Sequence, residues 1–522
     1  MKRAILFLGL LAFAGAAAGA EPVAIPVTAA PSLQAPLSGR LILFAHRVEP
    51  GAAPESAIDV SPFAPTETAV AARELESLAP GQVATVDAET GTFPAPFSAL
   101  PPGTYRFQAL LDRNHDYNYG GRGEGDVVSA VVEARLPGPA PHLVLSEILP
   151  PADPAAMLAQ LPENQRAAMR AAWEQAARID FVSPKLSAFW GRPIHMGGWV
   201  ALPPGYRAGG PAFPVVYTTH GFGGTLASQH AGAARAAMRM AAGDWPPMIW
   251  VFLDQSSATG THEFADSVNN GPWGEALTTE LIPWLEAHYR MDARASGRFL
   301  TGHSSGGWAT LWLQTRYPAI FGGTWSTSPD PSDFHDFTNV DLYAPGANAY
   351  RRADGTPTPL VRDHGRELAS LQQFAALEGV LGAYGGQFAS FDWVFSPRGP
   401  DGRPLLLFDR ATGAVNPEIA RYWRDHYDIA WRLEHNWPAL RRDLDGKIHV
   451  IVGTADTFHL DGSAHRLQAV LDRLGARSSF AFLPDRTHFD LFRQPGDAMG
   501  LMGDITWAMY AIARPGAHRP AR

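Results

Sequence analysis

Arg298-Phe299-Leu300-Thr301-Gly302-His303-Ser304-Ser305-Gly306-Gly307-Trp308-Ala309-Thr310-Leu311-Trp312-Leu313 runs from a short apolar β-type segment, through a glycine-flanked serine, into a helical pattern. A strand that turns at once into a helix strains the residue at the turn, demands small neighbours, and lifts that residue's side chain clear of the sheet edge. The helix amino terminus behind it adds partial positive charge. Ser304 is therefore the candidate nucleophile. The weight of this reading comes from the strand before and the helix after, because a chain with 51 glycines offers a G-x-S-x-G match by chance.

Outward from this turn, apolar runs alternate with amphipathic helical stretches: Val215–Thr219, Met248–Leu253, Arg298–Thr301, Phe321–Ser326, Lys447–Val452 and Ser479–Leu483. Near-continuous apolar strands separated by helices predict an α/β fold with a mostly parallel sheet covered on both faces. Between two of the runs, Leu277, Leu281, Trp284, Leu285 and His288 recur at helical spacing. One interval breaks the rhythm. Residues 329–445 separate two successive strands where a few residues are the norm, which predicts a large helical or irregular insertion forming a cap. Its aromatics, Tyr384, Phe388, Phe391, Trp393, Phe395, Tyr422, Trp423, Tyr427, Trp431 and Trp437, read mainly as the core of that cap, with a substrate-lining role as the competing reading.

In open α/β sheets, reactive groups collect beyond the carboxyl ends of the strands. Val215–Thr219 ends in His220-Gly221-Phe222-Gly223-Gly224, where a backbone N–H can serve an oxyanion. Phe222 is the expected donor with Gly223 as its neighbour, and the N–H of Ser305 is the second donor. An acid and a base should follow the serine in that order. Gly453-Thr454-Ala455-Asp456 supplies the acid and Pro484-Asp485-Arg486-Thr487-His488 the base, each just past a strand end. Asp461 and the Asp330/Asp333 pair are competing acids, while His459 and His465 read as structural or surface histidines.

The segments His220–Gly224, Gly302–Gly307, Tyr317-Pro318-Ala319-Ile320-Phe321-Gly322 and Gly453–Asp456 together resemble the putative-esterase family of α/β-hydrolases, which includes enterochelin esterases, feruloyl and acetyl xylan esterases, S-formylglutathione hydrolases and mycolyltransferases. The similarity covers roughly residues 195–495 outside the insertion, and Ser304, Asp456 and His488 match the family's triad positions. The resemblance implies a serine carboxylic-ester hydrolase acting through an acyl-enzyme, with a small-molecule or glycan-linked ester as substrate. An acyltransferase or serine peptidase on the same triad, and a non-catalytic glycan- or surface-binding protein, are the alternatives.

The rest of the chain sets the frame. Met1-Lys2-Arg3, the apolar run Ala4–Ala14 and Ala18-Gly19-Ala20 have the layout of a cleaved signal peptide over residues 1–20, which implies a periplasmic or extracellular protein. Residues 21–38 read as a disordered leader, 39–149 as a small β-sandwich-like domain, 150–182 as a helical connector, and 183–515 as the catalytic domain. A net charge of −9 without a basic run gives no footprint for nucleic acid, no second apolar stretch is long enough to span a membrane, and with no cysteine there is no disulfide framework. Neither H-E-x-x-H nor a phosphate-cradling glycine loop follows a strand, so no cofactor is expected for catalysis. In the amino-terminal domain Asp112, Asn114, Asp116 and Asn118 place oxygen side chains at every second position, as at the start of a calcium loop, and make a structural calcium ion a candidate. The glycine such loops require after the third oxygen is absent, so an Asx-rich turn is the competing reading.

Overall fold

The computed structural model describes residues 21–519 except 152, 154–158 and 160–161. The signal-peptide reading of residues 1–20, and Met157, Leu158 and Leu161 of the helical connector, fall outside the described residues.

Eight strands form the large sheet: β1 (Ala177–Val182), β2 (His195–Ala201), β3 (Val215–Thr219), β4 (Ile249–Leu253), β5 (Arg298–His303), β6 (Gly323–Thr327), β7 (Ile448–Gly453) and β8 (Ser478–Leu483). Their spatial order is 1-2-4-3-5-6-7-8. β2 is antiparallel to both of its neighbours, and every pair from β4 to β8 is parallel. This is the strand order of an α/β-hydrolase. In register, Thr219 lies opposite Gly302 and Gly302 opposite Ser326, so the carboxyl ends of β3, β5 and β6 share one edge. The catalytic unit begins at Ala177, not at 183. The segment 177–182, expected to belong to the connector, is the sheet's outer strand, and the connector helix itself covers Glu163–Gln175.

Side chains alternate between the two faces. Val215 and Tyr217 pack toward Leu281, Ile282 and Leu285, whereas Val216 packs toward helix α1 (Leu226–Ala241). The α1 side is also covered by a helix at 500–513, whose Ile505 and Met509 sit with Phe299 and Trp325. Arg514 pins that helix by donating to the Asp292 carboxylate and to the Ala212 carbonyl, and Arg239 pairs with Asp497 at 2.8 Å.

The interval 329–445 contains a hairpin (Pro359–Asp363 with Arg366–Ser370) and helices α2 (Leu371–Leu381), α3 (Gln387–Phe395), α4 (Pro417–Tyr427) and α5 (Ile429–Leu444). Phe388, Phe391, Phe395, Trp423, Tyr427 and Trp437 are buried together, as the reading of a cap core expects. That core is continuous with the sheet's own: Trp308 lies 5.4 Å from Trp312 and 4.8 Å from Phe395. Helix α5 packs on the elbow helix Ser305–Arg316, on the helix Leu460–Arg473 and on α4, so it joins the cap to the helices beside the sheet.

The amino-terminal domain is one nine-stranded sheet rather than two separate ones. It curls until Arg73, near one end of the strand path, donates to the Thr85 carbonyl at the other. The disordered leader expected over 21–38 is corrected. Ala24–Ala29 is a strand, antiparallel to Val83–Asp87 and parallel to Leu143–Ile148, and Leu37 already starts the next one. Ile25, Val27 and Ala29 alternate inward with no exposure, a period of two that the surrounding Pro, Ala and Thr conceal.

Candidate active site

Ser304 has φ 61° and ψ −128°, the strained turn that β5 running into the helix Ser305–Arg316 requires. The glycines around it are steric necessities. A Cβ on Gly302 would lie 2.1 Å from the Gly306 carbonyl, and one on Gly306 would lie 2.6 Å from the carbonyls of Thr219 and His220. The turn is held by Ser304 N–H donating to Thr327 (3.1 Å) and Trp308 N–H donating to the Ser304 carbonyl (3.0 Å).

His488 and Asp456 come together from the ends of β8 and β7, with His488 Nδ1 2.9 Å from Asp456 Oδ2 and both residues buried. Burial alone would raise the Asp456 carboxyl. The His488 charge and hydrogen bond and the Phe458 N–H outweigh it and hold the group down at about 2, so it is an anion at neutral pH. An anion there fixes the proton on Nδ1 and leaves Nε2 as an acceptor. The His488 ring is wedged among His303 (4.3 Å), Phe458 (4.9 Å) and Phe489 (5.3 Å).

The other acids and histidines lie elsewhere. Asp461 pairs with Arg362 at 2.9 Å, Asp333 accepts from the His335 N–H, His465 stacks on Phe482, and His459 precedes the helix Leu460–Arg473 in a left-handed conformation. Asp330 takes a position that the sequence did not suggest. It does not bond His488; its Oδ1 lies 3.5 Å from Ser304 Oγ and its Oδ2 accepts from the Ser305 hydroxyl at 2.6 Å. In this resting geometry Ser304 Oγ reaches Asp330 rather than His488. Resting sites often hold such bonds long and tighten them only around substrate. Glu263, fully buried with one carboxyl oxygen unpartnered, lies close enough to feel the Asp330 charge, and burial pushes it far up.

Burial pushes Asp330 up to about 6, against the hydrogen bonds from Ser305 and Ser304 and the attraction of His488. The linkage has a definite sign. Below the unfolded value of 3.8 both states hold the proton and nothing is lost; between 3.8 and about 6 only the unfolded state gives it up, and above that the native state carries the full penalty. Two pH units correspond to roughly 3 kcal/mol. Asp330→Asn is therefore expected to raise the free energy of urea unfolding at pH 8 by up to about this amount and to change it little at pH 3.5. An equal gain at both pH values would show that the carboxyl is not the source.

The loop after β3 abuts the serine: a Cβ on Gly221 would lie 3.0 Å from Ser304 Cβ. His220 fastens this loop, with Nδ1 2.8 Å from the Gly221 carbonyl and Nε2 2.9 Å from Asp254. Phe222, next in the chain, meets Tyr119 edge-on at 4.9 Å, and the Tyr119 hydroxyl donates to the Gly224 carbonyl at 2.7 Å. Ser305 opens the helix behind the elbow, so its N–H faces the turn end of that helix. Tyr119 belongs to the amino-terminal domain, about a hundred residues from the loop it touches, and no local pattern marks it.

In that domain the carboxylates of Asp112, Asp116 and Asp126 offer oxygens within 4.8 Å of one another. Asn114 and Asn118 do not join them. The Asn114 amide donates to Glu124, and the Asn118 amide donates to the carbonyls of Glu378, Gly382 and Tyr384 in the cap. Asp112 accepts the N–H groups of Asp116 and Tyr117, and Asp126 those of Arg113 and Gly123. Two of the three carboxylates thus spend their oxygens on backbone, as in an Asx turn.

Strand order, elbow and strand-end loops define an α/β-hydrolase. Residues 191–480, more than half of the chain, match the family described as "Putative esterase", and the chain belongs to that family. It is 33% identical over 154 residues to two proteins of Mycobacterium tuberculosis, Esterase Rv1288 (strain ATCC 25618 / H37Rv) and Esterase MT1326 (strain CDC 1551 / Oshkosh). The match covers 28% of this chain and 33% of each relative, so it spans about a third of the length of these curated relatives. Among solved structures, a ferulic acid esterase aligns with a TM-score of 0.39 and 13% identity over 65% of this chain and 98% of its own. An S-formylglutathione hydrolase from Staphylococcus aureus aligns with a TM-score of 0.37 and 10% identity over the same shares.

Proposed function

We propose that this protein is a serine esterase that cleaves carboxylic esters through an acyl-enzyme on Ser304. The observation that carries this reading is the meeting, at one sheet edge, of an elbow serine at φ 61° with a buried imidazole oriented by a buried carboxylate at 2.9 Å. His488 Nε2 takes the Ser304 proton as Oγ attacks the carbonyl carbon. The N–H groups of Phe222 and Ser305 receive the oxyanion. The His488 proton then passes to the leaving alkoxide, and water, deprotonated by the same imidazole, releases the acid. Asp456 keeps the tautomer and stabilises the imidazolium. Transfer of the acyl group to another alcohol, or attack on a peptide, would use the same groups. The test is covalent labelling by a fluorophosphonate: one adduct on the wild-type chain, at Ser304, and none on Ser304→Ala.

Two parts of the proposal concern the rest of the chain. Residues 1–20 act as a signal peptide that directs the enzyme to the periplasm or beyond, supported by their charge and apolar layout; no helix among the described residues is long and apolar enough to cross a membrane. The loop 112–126 is an Asx turn that keeps its shape through the N–H bonds described above. Added calcium is accordingly expected to leave the thermal midpoint of the chelator-treated protein unchanged. A rise that saturates with calcium would place an ion among Asp112, Asp116 and Asp126, because a ligand of the native state alone must raise the midpoint.

A further inference from the structure

Between the amino-terminal sheet, the cap and the oxyanion loop lies a cavity of about 400 Å³. Its walls come from all three: Val60, Pro62 and Tyr119 from the first, Phe374 and Leu377 from cap helix α2, and Phe222 from the loop. Polar groups sit at its margin already satisfied. Arg122 pairs with Asp59 at 2.8 Å, Tyr117 O–H donates to Asp59 at 2.9 Å, and the buried Glu378 carboxyl accepts the N–H groups of Gln387 and Phe388. The cap is tied down beside it, because Arg40 and Asn118 of the amino-terminal domain donate to the Val380, Glu378 and Gly382 carbonyls. A preformed apolar chamber of this size is the kind that holds a ligand of several carbon atoms.

The chamber adjoins the loop after β3. Phe222, the proposed oxyanion donor, is one of its walls, and it follows Gly221, where a Cβ would lie 3.0 Å from Ser304 Cβ. Phe63 meets Phe489 at 5.4 Å and Phe458 at 6.3 Å, and these two flank His488, the group that hands its proton to the departing alkoxide. With the alcohol half leaving beside His488, the chamber behind Phe222 is the space left for the acyl half. The amino-terminal loop 59–63 touches both, with Pro62 lining the chamber and Phe63 against Phe489.

We infer that this chamber is the acyl-binding subsite, that it selects esters of medium-length aliphatic or aryl acids, and that the amino-terminal β domain, through Val60, Pro62 and Tyr119, is part of the substrate cleft rather than a separate binding unit. The inference rests on Ser304 and His488 acting as proposed above. Each methylene of the acyl chain that enters the chamber leaves water and strengthens binding of the transition state.

The experiment measures kcat/KM for p-nitrophenyl acetate, butanoate, hexanoate and octanoate on the full chain. Wild type is expected to favour octanoate over acetate at least tenfold. Val60→Trp and Leu377→Trp, which fill the chamber from the amino-terminal domain and from the cap, are expected to cut that ratio at least tenfold at an unchanged thermal midpoint. A flat wild-type series, or folded variants with the wild-type ratio, would overturn the inference. Should both variants unfold, the wild-type series alone decides it. Failure of the underlying reading looks different: wild-type protein that cleaves none of the esters and takes no fluorophosphonate.

Discussion

Ser304→Ala is expected to lower kcat for p-nitrophenyl butanoate by about 10⁵- to 10⁶-fold, the scale on which loss of the nucleophile acts in enzymes with this constellation, while the thermal midpoint stays where it was. The second half follows from the contacts. Alanine keeps the Cβ that packs beside Gly221 and tolerates the left-handed φ no worse than serine does, and the oxygen removed makes one long bond to Asp330 and no other. Remaining turnover would come from direct attack of water on an ester whose carbonyl oxygen the two proposed N–H donors still hold. A variant retaining more than about a hundredth of wild-type kcat would remove Ser304 from the mechanism.

The next largest effect is expected at Asp456. In Asp456→Asn the amide preserves size and can still accept the Phe458 N–H, which lies 3.0 Å from Oδ1 in the wild type. What changes is the partner of His488 Nδ1. An amide N–H there demands that Nδ1 accept, which moves the ring proton to Nε2 and leaves nothing to receive the serine proton. A loss of about 10⁴-fold in kcat with little change in KM is the expected size. Asp461→Asn removes a pair with Arg362 at the rim of the same loop, worth at most about 1 kcal/mol at such partly exposed sites, and is expected to change kcat less than fivefold. Equal losses at the two positions would sink the assignment of the acid.

The sheet was legible in the sequence because its strands are short, apolar and punctuated. The run Val215–Thr219 agrees with the structure residue for residue. Phe321–Ser326 starts two residues early and stops one short of the strand Gly323–Thr327, since Phe321 is a core side chain ahead of it and Thr327 pairs with His303 at its end. That Ser304, Asp456 and His488 lie at the strand ends was legible for the same reason: Ser304 follows its strand at once, and Asp456 and His488 come in the short loops after theirs. Asp330 follows a strand as well, but which of two neighbouring groups a carboxylate turns toward is decided by side-chain packing that periodicity does not carry. Tyr119 and Phe63 were hidden more deeply. Their partners, Phe222 and Phe489, lie in another domain, and the contact exists only because two separately folded layers meet. The strand Ala24–Ala29 was missed because prolines and alanines mask its alternation, and its burial comes from partners more than fifty residues away.

The helix at 500–513 has a consequence for how the chain is made. Phe299 and Trp325 lie on a face of the sheet that this helix helps to cover, so while the ribosome is still synthesising residues before 500 that surface stays open to any passing apolar partner. Chains that stop before residue 500 are therefore expected to aggregate more readily than the full chain. Truncation ahead of the helix is expected to raise the share of the protein found in inclusion bodies even though Ser304, Asp456 and His488 are all retained.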